Sequence, residues 1–216
     1  MLLLAFDTAT PAVTVALHDG ARVIAQESAV DARRHGELLA AAIASVLRAA
    51  GAAAADLTAI AVGTGPGPYT GLRVGLVTAR VLGSALGISV DGVCTLDVIA
   101  RAAAAHAGGR DFIVATDARR KEVYWARYSP VAQRLWGPQV SAPAQVPASC
   151  PVAGEGPVLY PGLAAQAIGP RYPAAAQLAE ISSERLAAGT PAAPAEPLYL
   201  RRPDAREPGR PKRVTP

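Results

Sequence analysis

Residues 59–87 constrain the fold more than any other part of the 216-residue chain. The apolar run at 59–63 has the length and composition of a buried strand. It breaks into Gly63-Thr64-Gly65-Pro66-Gly67-Pro68, and helical spacing then runs over 70–86 and stops at Gly87. A strand, a Gly/Pro loop and a helix in this order form a unit whose helix must lie on a sheet. The surrounding sequence repeats the alternation. Residues 2–6, 12–17 and 22–28 read as three short strands, separated by Thr10-Pro11 and Asp19-Gly20. A helix follows over 35–50, with Leu38, Leu39, Ala42, Ile43, Val46 and Leu47 on one face and Gly51 as its stop. A strand at 88–93 and a helix at 95–107 complete a mixed α/β sheet layered with helices.

Near residue 110 the pattern restarts. Residues 112–116 and 122–128 read as strands joined by the turn at 117–121, and 134–140 as a third. The stretch 141–175 is rich in Pro, Gly and Ala, with strand candidates only at 151–153 and 158–160. An amphipathic helix over 176–188 precedes the exit through Leu198-Tyr199-Leu200. This predicts a first lobe over 1–108, a smaller degenerate lobe over 109–200 that opens like the first, and a basic Pro-rich tail over 201–216.

The net charge of +4 sits in that tail, which carries Arg201, Arg202, Arg206, Arg210, Lys212 and Arg213 against Asp204 and Glu207. The first 200 residues are balanced, so the body as a whole has no net polyanion-binding charge. Cys94 and Cys150 fit neither a disulfide framework nor a metal spacing, and His18, His35 and His106 do not pair at ligand spacings. There is no G-x-S-x-G elbow. No metal site is predicted. Without a basic n-region or an uninterrupted apolar span, the chain is expected to be soluble and cytoplasmic, away from membranes.

Four features carry candidate chemistry. In the loop at 63–75, Gly65 and Gly67 permit positive φ, Pro66 and Pro68 stiffen the backbone, and Thr70 is placed to cap the helix. The loop reads either as an anion-binding turn or as a rigid connection. With only Lys121 and Lys212 in the chain, it is not a P-loop. Gly71, Gly75, Ala79 and Gly83 repeat at i, i+4, and each glycine costs a soluble helix about 1 kcal/mol against Ala. Close approach of another helix, from this subunit or another chain, would offset that cost, and Leu38, Leu39 and Ala42 would extend the same surface. Asp7, with Thr8 and Thr10, ends the first strand; it either caps its own turn or, by resemblance to actin-like phosphotransferases that carry an acidic residue at this point, would help hold Mg-nucleotide, although no glycine follows until Gly20. Arg119, Arg120 and Lys121 form either a solvated hairpin tip or a local phosphate contact. His35 opens a helix, where it caps or faces solvent.

These residues also carry a resemblance. The block IAVGTGPGPYTGLRVGLVTARVLG at 60–83 is similar to the signature of the TsaB (YeaZ) family, with Pro68 and Tyr69 in place of Ser and Phe, and Thr70, Gly71, Leu72, Arg73 and Gly75 matching. The strand-D-T start at 2–17, H-G-E-L-L at 35–39, D-A-R-R-K-E-V-Y at 117–124 and L-Y-L-R-R at 198–202 follow in family order, while 141–197 has no recognisable match. The resemblance implies a two-lobed actin/Hsp70-like, ribonuclease-H-type α/β fold with mixed sheets flanked by helices. It implies a non-catalytic scaffold of the complex that installs N6-threonylcarbamoyl on adenosine 37 of tRNAs reading codons that start with A. The expected partners are a TsaD-like transferase, which carries the metal through a His-x-x-x-His motif absent here, and a TsaE-like ATPase. The isolated chain would form a homodimer through the same surface, and tRNA would be held mainly through the complex. No cofactor is expected on this chain alone: ATP or ADP and the metal belong to partner subunits, with Asp7 and Thr8 as candidates beside a nucleotide junction. The partner interface would be built from Leu38, Leu39, Ala42, Gly71, Gly75, Ala79 and Gly83, and the loop from Gly65, Pro66, Gly67, Thr70 and Arg73. A small-molecule phosphotransferase and a metallopeptidase are the alternatives that this superfamily offers.

Overall fold

The computed structural model describes residues 1–147 and 149–201. Its first sheet is built from β1 (Leu3–Asp7), β2 (Ala12–His18), β3 (Val23–Val30), β4 (Ala59–Gly63) and β5 (Ser89–Val93), in the order β3-β2-β1-β4-β5. The first three strands form an antiparallel meander; β4 runs parallel to β1, and β5 parallel to β4. Helices α1 (His35–Ala49) and α2 (Tyr69–Leu86) cover one face, and α5 (Ala175–Ala187) covers the other. Alternation along β1 explains why its run is apolar throughout. Leu4 and Phe6 join the core under α1 and α2, while Leu3 and Ala5 pack with Val98, Leu178 and Ala179 on the opposite side. β3 lies at the sheet edge and is largely exposed.

The second sheet contains β6 (Phe112–Asp117), β7 (Val123–Tyr128), β8 (Arg134–Ser141) and the short β9 (Val152–Ala153), in the order β8-β7-β6-β9. Its antiparallel meander with β9 parallel to β6 repeats the first sheet without the last strand. Two mixed sheets flanked by helices, the second a reduced version of the first, agree with the two-lobed fold that the resemblance implies. Helix α3 (Thr95–Ala103) lies between the lobes. Its Leu96, Ile99, Ala100 and Ala103 pack on Phe112, Val114, Ala126 and Tyr128 of the second sheet, while Val98 faces the first. Tyr128 donates its hydroxyl to Asp97 (2.8 Å), and Arg134 pairs with the other oxygen of the same carboxylate (3.2 Å).

Two expectations are corrected here. Residues 158–160 are not a strand, because Gly156–Leu159 form the one-turn helix α4. The boundary of the second lobe also moves. α5 packs on β1 and β2 of the first lobe, so the second lobe ends before residue 175. Helical periodicity shows that 176–188 has a buried face, not which sheet receives it. Beyond α5 the chain keeps to the first lobe: the Gly92 N–H donates to the carbonyl of Ala193 (2.9 Å) and that of Leu198 to Thr64 (2.9 Å). Of the tail at 201–216, only Arg201 lies among the described residues. No helix among these is long and apolar enough to cross a membrane.

Candidate partner face and inter-lobe cleft

β1 ends at Asp7, whose carboxylate is fully buried. Oδ1 accepts the N–H of Ala9 (2.7 Å) and so closes the turn, while Oδ2 accepts the hydroxyl of Thr95 (2.7 Å) at the head of α3. The same hydroxyl accepts the N–H of Gly65 (3.1 Å). Asp7 therefore joins the β1–β2 turn, the Gly/Pro loop and α3, and burial pushes its carboxyl pKa above the ordinary range. A Cβ on Gly63 would fall 1.9 Å from Oδ2, so packing against this carboxylate demands glycine there. Thr95 gave no sequence signal beyond being a hydroxyl residue at a helix start, yet it is the hub of this network.

The loop from Gly63 to Gly67 is buried. Gly65 has φ +85°, as the spacing predicts. Gly67 does not adopt positive φ; it is needed because a Cβ would lie 2.0 Å from the carbonyl oxygen of Ala9. Thr70 is not the cap of α2. Pro68 stands at that position, and Thr70 lies exposed in the first turn. Pro66 follows Gly65 in the buried part of the loop, and the N–H and C=O of Gly65 are both held by Thr95. His35 neither caps nor faces solvent: it is buried, with Nε2 2.8 Å from the carbonyl oxygen of Thr10.

The small-residue stripe is corrected most. Gly71, Gly75, Ala79 and Gly83 are all buried, and they face the chain's own first lobe, not a surface open to a partner. A Cβ on Gly71 would meet the carbonyl oxygen of Thr8 at 2.5 Å, one on Gly75 the Thr8 hydroxyl at 2.5 Å, and one on Gly83 the Val90 side chain at 2.5 Å. Thr8 donates its hydroxyl to the Gly71 carbonyl (2.7 Å) and accepts the Gly75 N–H (3.0 Å), standing between two groups that a helix ordinarily pairs with each other. Leu39 and Ala42 are likewise core residues of α1, and Leu38 is half-buried. The outward side of the pair differs. On α2, Val77 is 58% and Val81 61% exposed; on the neighbouring α1, Ala40, Ala41 and Ala44 are exposed. Arg73 lies nearby, its Nε donating to Tyr199 Oη (3.0 Å) and its guanidinium over the rings of Tyr69 and Tyr199.

Between the lobes, Thr8, Thr10, His35, Thr70 and Arg119 line a cavity of about 160 Å³. Arg119 comes from the β6–β7 hairpin, where Arg119, Arg120 and Lys121 have φ of 61°, 53° and 61°. Three successive left-handed residues other than glycine cost about 1–2 kcal/mol each. Arg201 braces the turn, donating to the carbonyl of Ala118 (3.1 Å) and pairing with Glu122, while its own carbonyl accepts the hydroxyl of Tyr69 (2.8 Å). Cys94, beside α3, has its thiol pushed up to about 12 by burial, which leaves it protonated at neutral pH. No three His, Cys, Asp or Glu side chains among the described residues stand close enough to hold a metal ion.

Comparison with known proteins adds to this geometry. The family model described as TsaD, tRNA N6-adenosine threonylcarbamoyltransferase, matches residues 23–205. An uncharacterized protein of Mycobacterium tuberculosis is 44% identical over 211 residues, covering 94% of this chain and 93% of its own. The tRNA threonylcarbamoyladenosine biosynthesis protein TsaB of Escherichia coli is 35% identical over 136 residues, 63% of this chain and 58% of its own. The solved structure of YeaZ from Pseudomonas aeruginosa superposes with a TM-score of 0.77 at 30% identity, covering 92% of this chain and 99% of the other. Similarity at this level runs through both lobes, and with the signature loop folded as described, the chain belongs to the TsaB (YeaZ) family.

Proposed function

We propose that this chain is a non-catalytic subunit of the machinery that makes threonylcarbamoyladenosine in tRNA. It supports a TsaD-like transferase that acts on adenosine 37 of tRNAs reading codons that start with A, together with a TsaE-like ATPase, in the cytoplasm. The observation that carries this reading is the exposed apolar side of α1 and α2, centred on Val77 and Val81, on a lobe whose candidate nucleotide-site carboxylate, Asp7, is buried and bonded within the chain. That face serves the transferase subunit in the complex and a second copy of this chain in its absence. Nucleotide and metal belong to the partner subunits, and tRNA is held mainly through the assembly. The relatives named as biosynthesis proteins of this modification support the reading.

The test is reconstitution with the TsaD-like and TsaE-like subunits, threonylcarbamoyl-adenylate and tRNA, with and without this chain. Modification is expected only when the chain is present, and none from the chain alone. Val77→Glu with Val81→Glu places two carboxylates on the exposed face. It should leave the melting temperature nearly unchanged and weaken co-elution with the transferase subunit by about tenfold or more. Undiminished co-elution would remove α2 from the interface.

A further inference from the structure

The hairpin turn at Arg119, Arg120 and Lys121 spends conformational strain on charge. The chain has 20 glycines, any of which would adopt φ near +60° freely, yet three cationic residues occupy the three successive left-handed positions. The turn is exposed, and Arg119 shares the wall of the inter-lobe cavity with Ala32, which precedes Arg33 and Arg34 on the opposite lobe. Five of the fifteen basic residues in the first 200 thus belong to the two short segments that supply Ala32 and Arg119 to this cavity, although that part of the chain is neutral overall. Nearby Glu37 and Asp117 pair with Arg34 and Arg119, and Glu122 with Arg201. Asp31 spends its side chain on the N–H of Arg33. Along these segments and at Arg201, six cations (Arg33, Arg34, Arg119, Arg120, Lys121 and Arg201) stand against four carboxylates (Asp31, Glu37, Asp117 and Glu122), and Arg120 too makes a contact of its own.

We infer that this turn is the chain's own contact with the phosphate backbone of RNA, in the proposed setting the tRNA whose modification the complex performs. Successive residues in a helical turn of either hand diverge by about 100°. The three cations therefore spread over separate positions instead of closing on one anion. Such a spaced array suits a polymer with a charge on every nucleotide, where each contact releases counterions. Arg201 holds the turn from both flanks, through Ala118 and Glu122, and so brings the root of the basic tail to the same place.

The experiment titrates the full chain against fluorescently labelled, unmodified tRNA at 50 to 200 mM KCl. Four proteins are compared: the natural chain, the Arg119→Gly/Arg120→Gly/Lys121→Gly variant, the Arg119→Lys/Arg120→Lys variant, and a chain ending at residue 201. Glycine relieves the left-handed strain, so the triple variant should melt no lower than the natural chain. It should nonetheless bind at least about tenfold more weakly, and its salt slope should drop by about 2 to 3. The lysine variant should keep the slope. Retention of full affinity and slope by the glycine variant would overturn the assignment. So would loss of binding only in the shortened chain, which would place the contact in the tail. Loss of transferase co-elution by the glycine variant with RNA binding intact would show the turn to be a protein contact instead. The inference rests on the proposed tRNA setting, but the two fail separately. A natural chain that binds no RNA sinks this inference, whereas co-elution and reconstitution judge the scaffold reading.

Discussion

At the scale of single residues, Asp7 shows how a carboxylate placed in sequence like a nucleotide-site residue can have both oxygens bonded within its own fold. Its position at the end of a strand, before hydroxyls, fits either role. Only the arrival of Thr95 and Gly63 from distant parts of the chain shows both oxygens already used. The pH dependence follows from its burial. The native carboxyl titrates above the ordinary value of 3.8, so between 3.8 and its raised native value the native state holds a proton that the unfolded chain has released. Stability is therefore greatest below that window, falls as pH rises through it, and is level above. Asp7→Asn should remove this part of the slope in a series of urea midpoints against pH. The remainder belongs to other groups such as Asp97, also raised by burial. An unchanged slope in Asp7→Asn would show that Asp7 titrates normally.

For the helices, the sequence makes the amphipathic pattern of α1 and α2 plain, and their observed bounds, His35–Ala49 and Tyr69–Leu86, fall within a residue of the expected ones. The assignment of faces did not carry over. Gly71, Gly75, Ala79 and Gly83 suggest a groove for a neighbouring helix, but small residues serve equally to bring a helix down onto a sheet and the turn beside it. Here Thr8, Val62 and Val90 fill that space. A substitution that seems an interface probe is thus a folding probe. Gly75→Leu should destabilise the chain by roughly 2–4 kcal/mol in urea denaturation, because its Cβ starts 2.5 Å from the Thr8 hydroxyl. A stable, fully folded Gly75→Leu protein that lost only its partner would restore the outward reading.

Across the whole molecule, the lobes are joined by α3 and by the returning C-terminal segment. Arg201 is the last such tie among the described residues, reaching the second lobe at Ala118 and Glu122 while its backbone is held by Tyr69 of the first. Arg201→Met keeps much of the side-chain volume and removes these polar contacts. It should cost about 1–2 kcal/mol and speed amide exchange in residues 118–122 relative to the first sheet. Equal protection in the two proteins would make the brace energetically idle. The Leu-Tyr-Leu-Arg motif at 198–201 is visible in sequence as a family ending, but its work as a strap between lobes is not.

The sequence by itself determined the strands of both sheets, though not the one-turn helix at Gly156–Leu159, and the first three helices, the Gly/Pro loop and the family. These depend on periodicity, turn chemistry and motif order, all of which are local along the chain. The tertiary structure alone decided that α5 returns to the first sheet, that Asp7 is enclosed by Thr95, that the glycine stripe faces inward, and that the cationic turn is left-handed and braced by Arg201. Each of these turns on which distant segment occupies a given face, and a hydrophobic or small-residue period states that a face is covered without stating by what.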